Sequence, residues 1–176
     1  MGRVRTGDRL LISGPVGDHG TAVMLAREQF GLSGSLLSDA ASVLPITETL
    51  LQMPGLRFMR DPTRGGLATV AHDLAFGAGA EIRLQASAIP VRGPVRAVCE
   101  MLGYDPYYLA CEGQVLAVVA PDSTERALAA LRERGYHDAA LIGEVHRGPA
   151  RVVLETPLGG QRILEQLEDD PLPRIC

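Results

Sequence analysis

The fold of this chain is indicated most clearly by the stretch Met59-Arg60-Asp61-Pro62-Thr63-Arg64-Gly65-Gly66-Leu67-Ala68. The residues that lead into this stretch, 56–59, have the apolar character of a short strand. The segment Asp-Pro-Thr is a signal for the start of a helix. After it, apolar residues recur at the spacing of a helix with one buried face, namely Leu67, Val70, Ala71, Leu74 and Ala75. The stretch therefore predicts a strand, a tight charged loop and a helix.

The loop of this unit carries an acid, two arginines and a pair of glycines at one point. Asp61 and Arg64 beside Gly65 and Gly66 combine charge with close backbone approach, which a phosphate–Mg²⁺ site requires. The same residues are typical of a plain helix start, with Asp61 or Thr63 as N-cap and the arginines exposed. On chemistry alone the two interpretations are equally supported, and both stay open.

A second strand–loop–helix unit lies near the N-terminus. Arg9 to Ser13 is predicted as a strand, followed by Ser13-Gly14-Pro15-Val16-Gly17-Asp18-His19-Gly20 and a helix from about Thr21 to Gln29. Backbone N–H groups at such a helix start bind anions readily. The spacing matches neither a Walker A loop nor a dinucleotide-binding fingerprint. A tight turn that needs glycine at positive φ is the alternative interpretation.

The third informative stretch is Tyr107-Tyr108-Leu109-Ala110-Cys111-Glu112-Gly113, a turn just before a predicted buried strand at Gln114 to Ala120. Glu112 is a candidate general base beside a cleft. Cys111 fits a small buried filler better than a nucleophile, because free cysteine packs as a small hydrophobe. Three histidines have no partner at metal-ligand spacing and are interpreted as structural or surface residues: His72, His137 and His146.

The remaining sequence alternates between helical and strand patterns. A helix is predicted at about Ser38 to Met53, restarted at Pro45, and the segment Asp122-Ser123-Thr124-Glu125 opens the clearest helix, which Gly135 ends. A further helix is predicted at 93–102, strands at 80–84, 139–145, 151–155 and 161–164, and a hairpin turn at 157–160. Because paired strands follow helix-linked ones, we expect an α+β fold with a mixed sheet covered by helices.

The chain ends in Leu167-Glu168-Asp169-Asp170-Pro171-Leu172-Pro173-Arg174-Ile175-Cys176. Two prolines in three positions favour extended backbone, and we expect the tail from about Asp169 to be mobile. The domain organisation is thus a single domain at 1–168 and a tail at 169–176. Cysteine is a strong nucleophile through its thiolate, and a terminal thiol can enter a narrow site. A terminal cysteine placed by chance is the alternative.

Composition excludes several classes of function. The net charge of −4 and the absence of any Lys/Arg block argue against a nucleic-acid partner or an anionic membrane surface. Three cysteines without C-x-x-C spacing argue against a disulfide framework and a zinc site. No apolar run approaches the length of a membrane span, and the N-terminus lacks a signal-peptide core. We therefore expect a cytoplasmic protein without a membrane partner.

The three motifs and the tail, taken in order, resemble one family. The segments "SGPVGDHG", "MRDPTRGGLA", "YYLACEG" and "PRIC" are similar to the C-terminal half of the HypE family of hydrogenase expression/formation proteins. That family belongs to a superfamily with aminoimidazole ribonucleotide synthetase and selenophosphate synthetase. The resemblance covers essentially the whole chain and implies the C-terminal domain fold of that superfamily. One departure is Cys111, where the family often has Asn.

The resemblance implies a mechanism. In the family, the C-terminal cysteine accepts a carbamoyl group from the carbamoyltransferase HypF. The group is then dehydrated with ATP to a thiocyanate, and the cyanide passes to iron on the HypC–HypD complex for the [NiFe] hydrogenase site. By position, Cys176 is the acceptor thiol and Glu112 the proton acceptor. The residues implied to face the nucleotide are Asp61, Arg64 and Gly65, with Gly17, Asp18 and Gly20 of the glycine loop.

The family's full chain is about twice as long as this one. Its N-terminal half holds most of the ATP and Mg²⁺ ligands and the main homodimer contact, so the resemblance assigns no metal ligand here. Two alternatives follow: a partner-docking and carrier module without ATPase activity, or half of another synthetase of the superfamily. The terminal "PRIC" argues against the second alternative, because those enzymes do not use a C-terminal thiol.

Overall fold

The structure of the protein is a computed structural model that describes residues 4–27 and 34–167. Within these ranges the strands are β1 (Arg9–Ile12), β2 (Leu56–Arg60), β3 (Glu81–Gln85), β4 (Leu116–Val119), β5 (Ala140–His146), β6 (Arg151–Glu155) and β7 (Gln161–Ile163). The α-helices are α1 (Asp18–Ala26), α2 (Leu44–Leu51), α3 (Gly66–Ala78), α4 (Gly93–Leu102) and α5 (Thr124–Glu133). Single 3₁₀ turns lie at Pro106–Tyr108 and Pro121–Ser123.

The strands form one mixed sheet in the order β2-β4-β1-β5-β3-β6-β7. β3 and β6 run parallel, and the other neighbouring pairs are antiparallel. The last two strands form the predicted hairpin around the turn at 157–160, where the Thr156 N–H donates to the Gly160 carbonyl at 2.8 Å. The mixed sheet with helices on it confirms the predicted α+β class.

Helices cover both faces of the sheet because side chains along a strand point alternately to opposite sides. In β1, Leu10 and Ile12 pack with the apolar residues of α3, while Leu11 packs with α2 and α5. In β4, Leu116 and Val118 likewise pack on the side of α3, while Ala117 and Val119 pack on the side of α2 and α5. A smaller cluster joins α1 to α4 beside the sheet, through Met24, Leu25, Val95, Val98, Cys99 and Leu109.

Two helix starts differ from the sequence prediction. The helix predicted at Ser38 to Met53 begins only at Leu44, with Pro45 in its first turn, since the preceding segment is used in another contact described below. The helix predicted from Thr21 begins at Asp18, because Gly17 takes up the left-handed N-cap conformation at φ 85°. The predicted end of that helix near Gln29 lies outside the described residues.

The start of α3 settles the N-cap question in the central motif. Gly65 is the N-cap residue, with φ 71°, and no side chain caps the helix. Asp61 and Thr63 therefore do not act as N-cap residues, and instead the Thr63 carbonyl accepts the Gly66 N–H at 3.0 Å.

The tail segment 169–176, with its predicted mobility, lies outside the described residues. None of the helices in 4–27 and 34–167 combines the length and apolar character that crossing a bilayer requires.

Candidate active site

The turn at 110–113 is the point where the three sequence motifs meet. The Gly17 N–H of the glycine loop donates to Cys111 Sγ at 3.2 Å, and the Gly20 N–H donates to the Ala110 carbonyl at 3.0 Å. From the opposite side, the Cys111 N–H donates to the Pro62 carbonyl of the central motif at 3.0 Å. Residues separated by up to 94 positions are thus fixed to one short segment.

The second glycine of the central motif, Gly66, is required by close backbone packing. Its φ is +60°, and a Cβ on it would lie 2.5 Å from the Leu109 carbonyl oxygen and 2.6 Å from that of Tyr107. Real Cβ atoms essentially never approach other atoms so closely. The helix start and the 106–109 backbone can therefore pack at this distance only if residue 66 has no side chain.

Glu112 has an exposed side chain on a firmly held backbone. The Asp39 carboxylate accepts the Glu112 N–H at 3.1 Å and the Gly113 N–H at 3.3 Å. The contact is close, because a Cβ on Gly113 would lie 2.0 Å from the Asp39 carbonyl oxygen. The exposed carboxylate of Glu112 thus projects from a held backbone, where it is open to contact with a bound substrate.

Asp18 of the glycine loop is a buried carboxylate beside an exposed cation. Its Oδ2 lies 2.8 Å from Arg92 Nε, and the exposed fraction of the side chains is 4% for Asp18 and 54% for Arg92. Its Oδ1 has no hydrogen-bond partner among the described residues. Burial raises the pKa of Asp18 to about 6, Arg92 opposes this rise, and the negative charge of Asp39 adds to it.

The pKa of Asp18 predicts a pH dependence of stability. A carboxyl group with a raised pKa in the folded state stabilises the fold at low pH, and this contribution is lost as pH rises. From the ordinary 3.8 to about 6, the loss is about 3 kcal/mol in the free energy of unfolding. We expect Asp18→Asn to remove this slope, so that the variant gains on the wild type between pH 4 and pH 7 in urea unfolding.

The matched control for this prediction is Arg92→Ala. Without the guanidinium, the pKa of Asp18 loses the influence that lowers it, so the loss of stability with rising pH should become larger. Parallel stability curves for the wild type and Asp18→Asn across this pH range would contradict the prediction.

Both internal cysteines are buried. The exposed fraction is 0% for Cys111 and 2% for Cys99. Burial raises the pKa of the Cys99 thiol to about 11 and also raises the pKa of Cys111. Because the thiolate is the reactive form, neither is a nucleophile at neutral pH, and the prediction that Cys111 is a small buried residue is confirmed.

The other predicted site residues form two groups, those exposed at the start of α3 and those of the glycine loop that are bonded to the turn. Asp61 and Arg64 are exposed at the start of α3, next to buried Gly65. The backbone N–H groups of Gly17 and Gly20 are bonded to the turn, so these glycines dock the loop against it. Cys176 lies outside the described residues.

Asp39 and Arg92 were not predicted from the sequence, and both are distant in sequence from the residues that they contact, Glu112 and Asp18. Asp39 lies in the segment predicted as the first turns of a helix, and Arg92 precedes the N-terminus of α4. A weak signal for Asp39 was available in the sequence. Ser38 and Asp39 favour turns and loops, and Pro45, which suits the first turn of a helix, comes only six positions after Asp39. Nothing in the sequence indicated Arg92.

Comparison with known proteins identifies the domain. The family described as "AIR synthase related protein, C-terminal domain" matches residues 5–155. The chain belongs to this family. Two solved structures at low identity share the fold alone: a ThiL complex with AMPPCP and TMP, 20% identical with a TM-score of 0.55, and PurL from T. maritima, 15% identical with a TM-score of 0.62.

Closer relatives within the family agree with the resemblance seen in the sequence. The carbamoyl dehydratase HypE of Escherichia coli (strain K12) is 44% identical over 97% of this chain and 51% of its own length. The corresponding protein of Azotobacter vinelandii is 42% identical over 99% of this chain and 52% of its own length. The chain therefore spans about half the length of these relatives, and it matches their C-terminal half.

Solved structures of HypE match the fold closely. The crystal structure of E. coli HypE has a TM-score of 0.93 at 43% identity, covering 99% of this chain and 54% of that one. A HypE structure in complex with ATP has a TM-score of 0.89 at 41% identity, covering 97% and 53%. A HypE–HypF complex has a TM-score of 0.89 at 37% identity, covering 94% and 55%.

Proposed function

We propose that this chain is the C-terminal half of a carbamoyl dehydratase that works in [NiFe] hydrogenase maturation. The observation that carries the proposal is the 44% identity to the E. coli carbamoyl dehydratase over nearly the whole chain. The convergence of the three motifs on the 110–113 turn supports it, because it places Glu112 at the junction of the glycine loop and the start of α3.

The terminal thiol is the proposed carrier. The Sγ of Cys176 gives up its proton and forms a bond to the carbamoyl carbon of the activated donor held by the carbamoyltransferase HypF. The bond from that carbon to the phosphate oxygen of the donor breaks, the phosphate group leaves, and the product is a thiocarbamate. Dehydration moves the carbamoyl oxygen to the γ-phosphoryl group of ATP, releases ADP and phosphate, and removes two protons from the nitrogen. A thiocyanate remains on sulfur, and it is the source of the cyanide ligand passed to the HypC–HypD complex.

Glu112 is the proposed acceptor of a proton from the carbamoyl nitrogen. Its carboxylate is exposed, while its backbone is held by Asp39, so the group can meet a substrate without moving the turn. Such a positioned base contributes roughly 10²- to 10⁴-fold to a rate.

The nucleotide is proposed to lie at the start of α3, with most of its ATP and Mg²⁺ ligands in an N-terminal half of the kind found in the relatives. The exposed side chains of Asp61 and Arg64 and the backbone of Gly65 fit this role, since an arginine at the start of a helix suits a phosphate. Gly17, Asp18 and Gly20 are engaged with the turn and with Arg92, so we assign them to the wall behind the nucleotide.

One of the proposed partners is supported by a solved structure of a relative. A HypE–HypF complex containing a chain 37% identical to this one supports HypF as the carbamoyl donor. We further propose the HypC–HypD complex as acceptor of the cyanide, a homodimer formed through the N-terminal half, and a cytoplasmic location.

Glu112→Gln tests the proposed function. In the protein that carries both halves, the variant should still take one carbamoyl group on Cys176 but form thiocyanate about 10²-fold or more slowly. Mass spectrometry of the C-terminal peptide over time measures both steps. Glu100→Gln, which neutralises another exposed glutamate on α4, is the matched control and should convert at the wild-type rate. Equal conversion in the two variants would remove Glu112 from the mechanism.

A second candidate function is a carrier and docking module without ATPase activity of its own. The observation that favours it is that the chain spans about half of each relative. ATP turnover by the 176-residue chain, measured alone and with the N-terminal half of a relative added, distinguishes the two, because phosphoryl transfer depends on positioned metal ions and phosphate contacts. Turnover restored by the added half favours the dehydratase, and background turnover in both measurements favours the module.

A further inference from the structure

The residues that follow β7 are held to the domain by side chains from two other elements. The Leu164 N–H donates to the Val152 carbonyl at 2.9 Å, which extends the antiparallel pairing of β6 and β7 by one residue. Beyond it, His72 Nε2 lies 2.6 Å from the Leu164 carbonyl oxygen, and the Tyr108 hydroxyl donates to the Glu165 carbonyl at 2.6 Å. Two consecutive carbonyls are thus bound by side chains at the point where the chain leaves the sheet.

The histidine in this arrangement is buried on α3, the helix that starts at the central motif. Because a carbonyl oxygen only accepts hydrogen bonds, Nε2 of His72 must carry the hydrogen. The ring of Phe76, one helical turn further on, stacks on His72 with centroids 6.2 Å apart. The hydrogen bond to Leu164 and this ring contact together restrict the orientation of His72.

The tyrosine belongs to the third motif and sits in the 3₁₀ turn that Gly66 approaches. Its hydroxyl reaches Glu165, which is exposed and belongs to no strand. Together with the fully buried side chain of Leu164, the two hydrogen bonds attach the start of the C-terminal segment to the elements that carry the candidate site. Neither the His72 bond nor the Tyr108 bond belongs to a strand pairing of the sheet.

We propose that His72 and Tyr108 are positioning residues that fix the root of the C-terminal segment relative to Glu112. The proposal rests on the proposed function, in which Cys176 must reach the 110–113 turn. Cys176 lies eleven positions after Glu165, and a fully extended segment of that length spans at most about 35–40 Å. The concentration of a tethered thiol at the site depends on where its tether begins and in which direction it leaves.

The test compares reaction within one molecule with reaction between two molecules. In the protein that carries both halves, Tyr108→Phe and His72→Met should slow conversion of the carbamoyl group on Cys176 by about threefold to tenfold. His72→Gln retains an N–H near the position of Nε2 and should restore much of the rate. A carbamoylated peptide of residues 171–176, added to Cys176→Ala protein, should be converted equally with and without Tyr108→Phe.

The outcomes separate the two proposals. Equal slowing of the tethered and free substrates would mean that the variants disturb the site itself, and unchanged rates for both would mean that the root is not held by these bonds. Either result overturns the positioning role. Wild-type protein that converts neither substrate would overturn the proposed function, and the positioning role with it.

Hydrogen exchange on the 176-residue chain gives an independent readout. Tyr108→Phe and His72→Met should raise the exchange rate of the Leu164 amide by at least about threefold, while the amides of α3 keep their protection. Unchanged exchange at Leu164 in both variants would overturn the proposal.

Discussion

Cys176→Ala is expected to abolish carbamoylation of the chain. Incubation with the carbamoyltransferase, carbamoyl phosphate and ATP should add one group of about 43 Da to the C-terminal peptide of the wild type and nothing to the variant. The loss should be complete because no other cysteine can replace the terminal one. The exposed fractions of Cys99 and Cys111 are 2% and 0%, and burial raises the pKa of both thiols, that of Cys99 to about 11.

The matched control is Cys99→Ala, which removes a cysteine of the α1–α4 cluster and leaves the terminal thiol in place. It should accept the carbamoyl group as the wild type does. Appending one residue after Cys176 is a second test, because a pocket closed at its end would exclude the longer tail. Modification at Cys99 or Cys111 with Cys176 unmodified would contradict both the carrier role and the interpretation of the tail.

Much of the fold could be predicted because its determinants are local. The continuous apolar runs of β1 and β4 reflect the two covered faces of the sheet, and the three- and four-residue spacing of apolar residues in α3 reflects its one buried face. The helix predicted at 93–102 and the strand predicted at 151–155 have the predicted bounds. The glycine-rich turn at 157–160 was sufficient to predict the final hairpin.

Helix starts were harder to predict because distant groups compete for the same residues. Asp39 has the local character of a helix cap, but its carboxylate binds the backbone of Glu112 and Gly113, 73 and 74 positions away. The helix therefore starts only at Leu44. In the central motif, the start of α3 is set by backbone packing against the 106–109 segment, and a cap by Asp61 would not provide that contact.

The candidate site shows the same division. Glu112 could be proposed as a candidate from residue type and its place before a buried strand, whereas its backbone contact with Asp39 and the pairing of Asp18 with Arg92 depend on the tertiary fold. Burial also raises the pKa of Asp18 to about 6, and the neighbouring Arg92 opposes this rise. Because Asp18 Oδ2 is paired with Arg92, the environment of this carboxylate could not be read from the glycine loop alone.

Gly66→Ala is expected to be the most destabilising single-methyl change in the central motif. A non-glycine residue at φ +60° costs about 1–2 kcal/mol in the left-handed region. The new Cβ would also meet the carbonyl oxygens of Leu109 and Tyr107 at 2.5 and 2.6 Å, and moving packed groups apart costs a further ~1–3 kcal/mol. The free energy of unfolding should therefore fall by about 2–5 kcal/mol, or roughly 4–20 °C in Tm.

Gly79→Ala is the control that isolates the packing effect, because residue 79 has φ +61° and no atom lies within 4 Å of the position that its new methyl group would take. It carries the same backbone strain as Gly66→Ala, so it should lose only about 1–2 kcal/mol in urea unfolding. The difference between the two variants measures how tightly the start of α3 is packed against the turn that leads to Glu112. Equal losses would mean that the 106–109 backbone yields to the methyl group, and that the two motifs are joined more loosely than the 2.5 Å approach indicates.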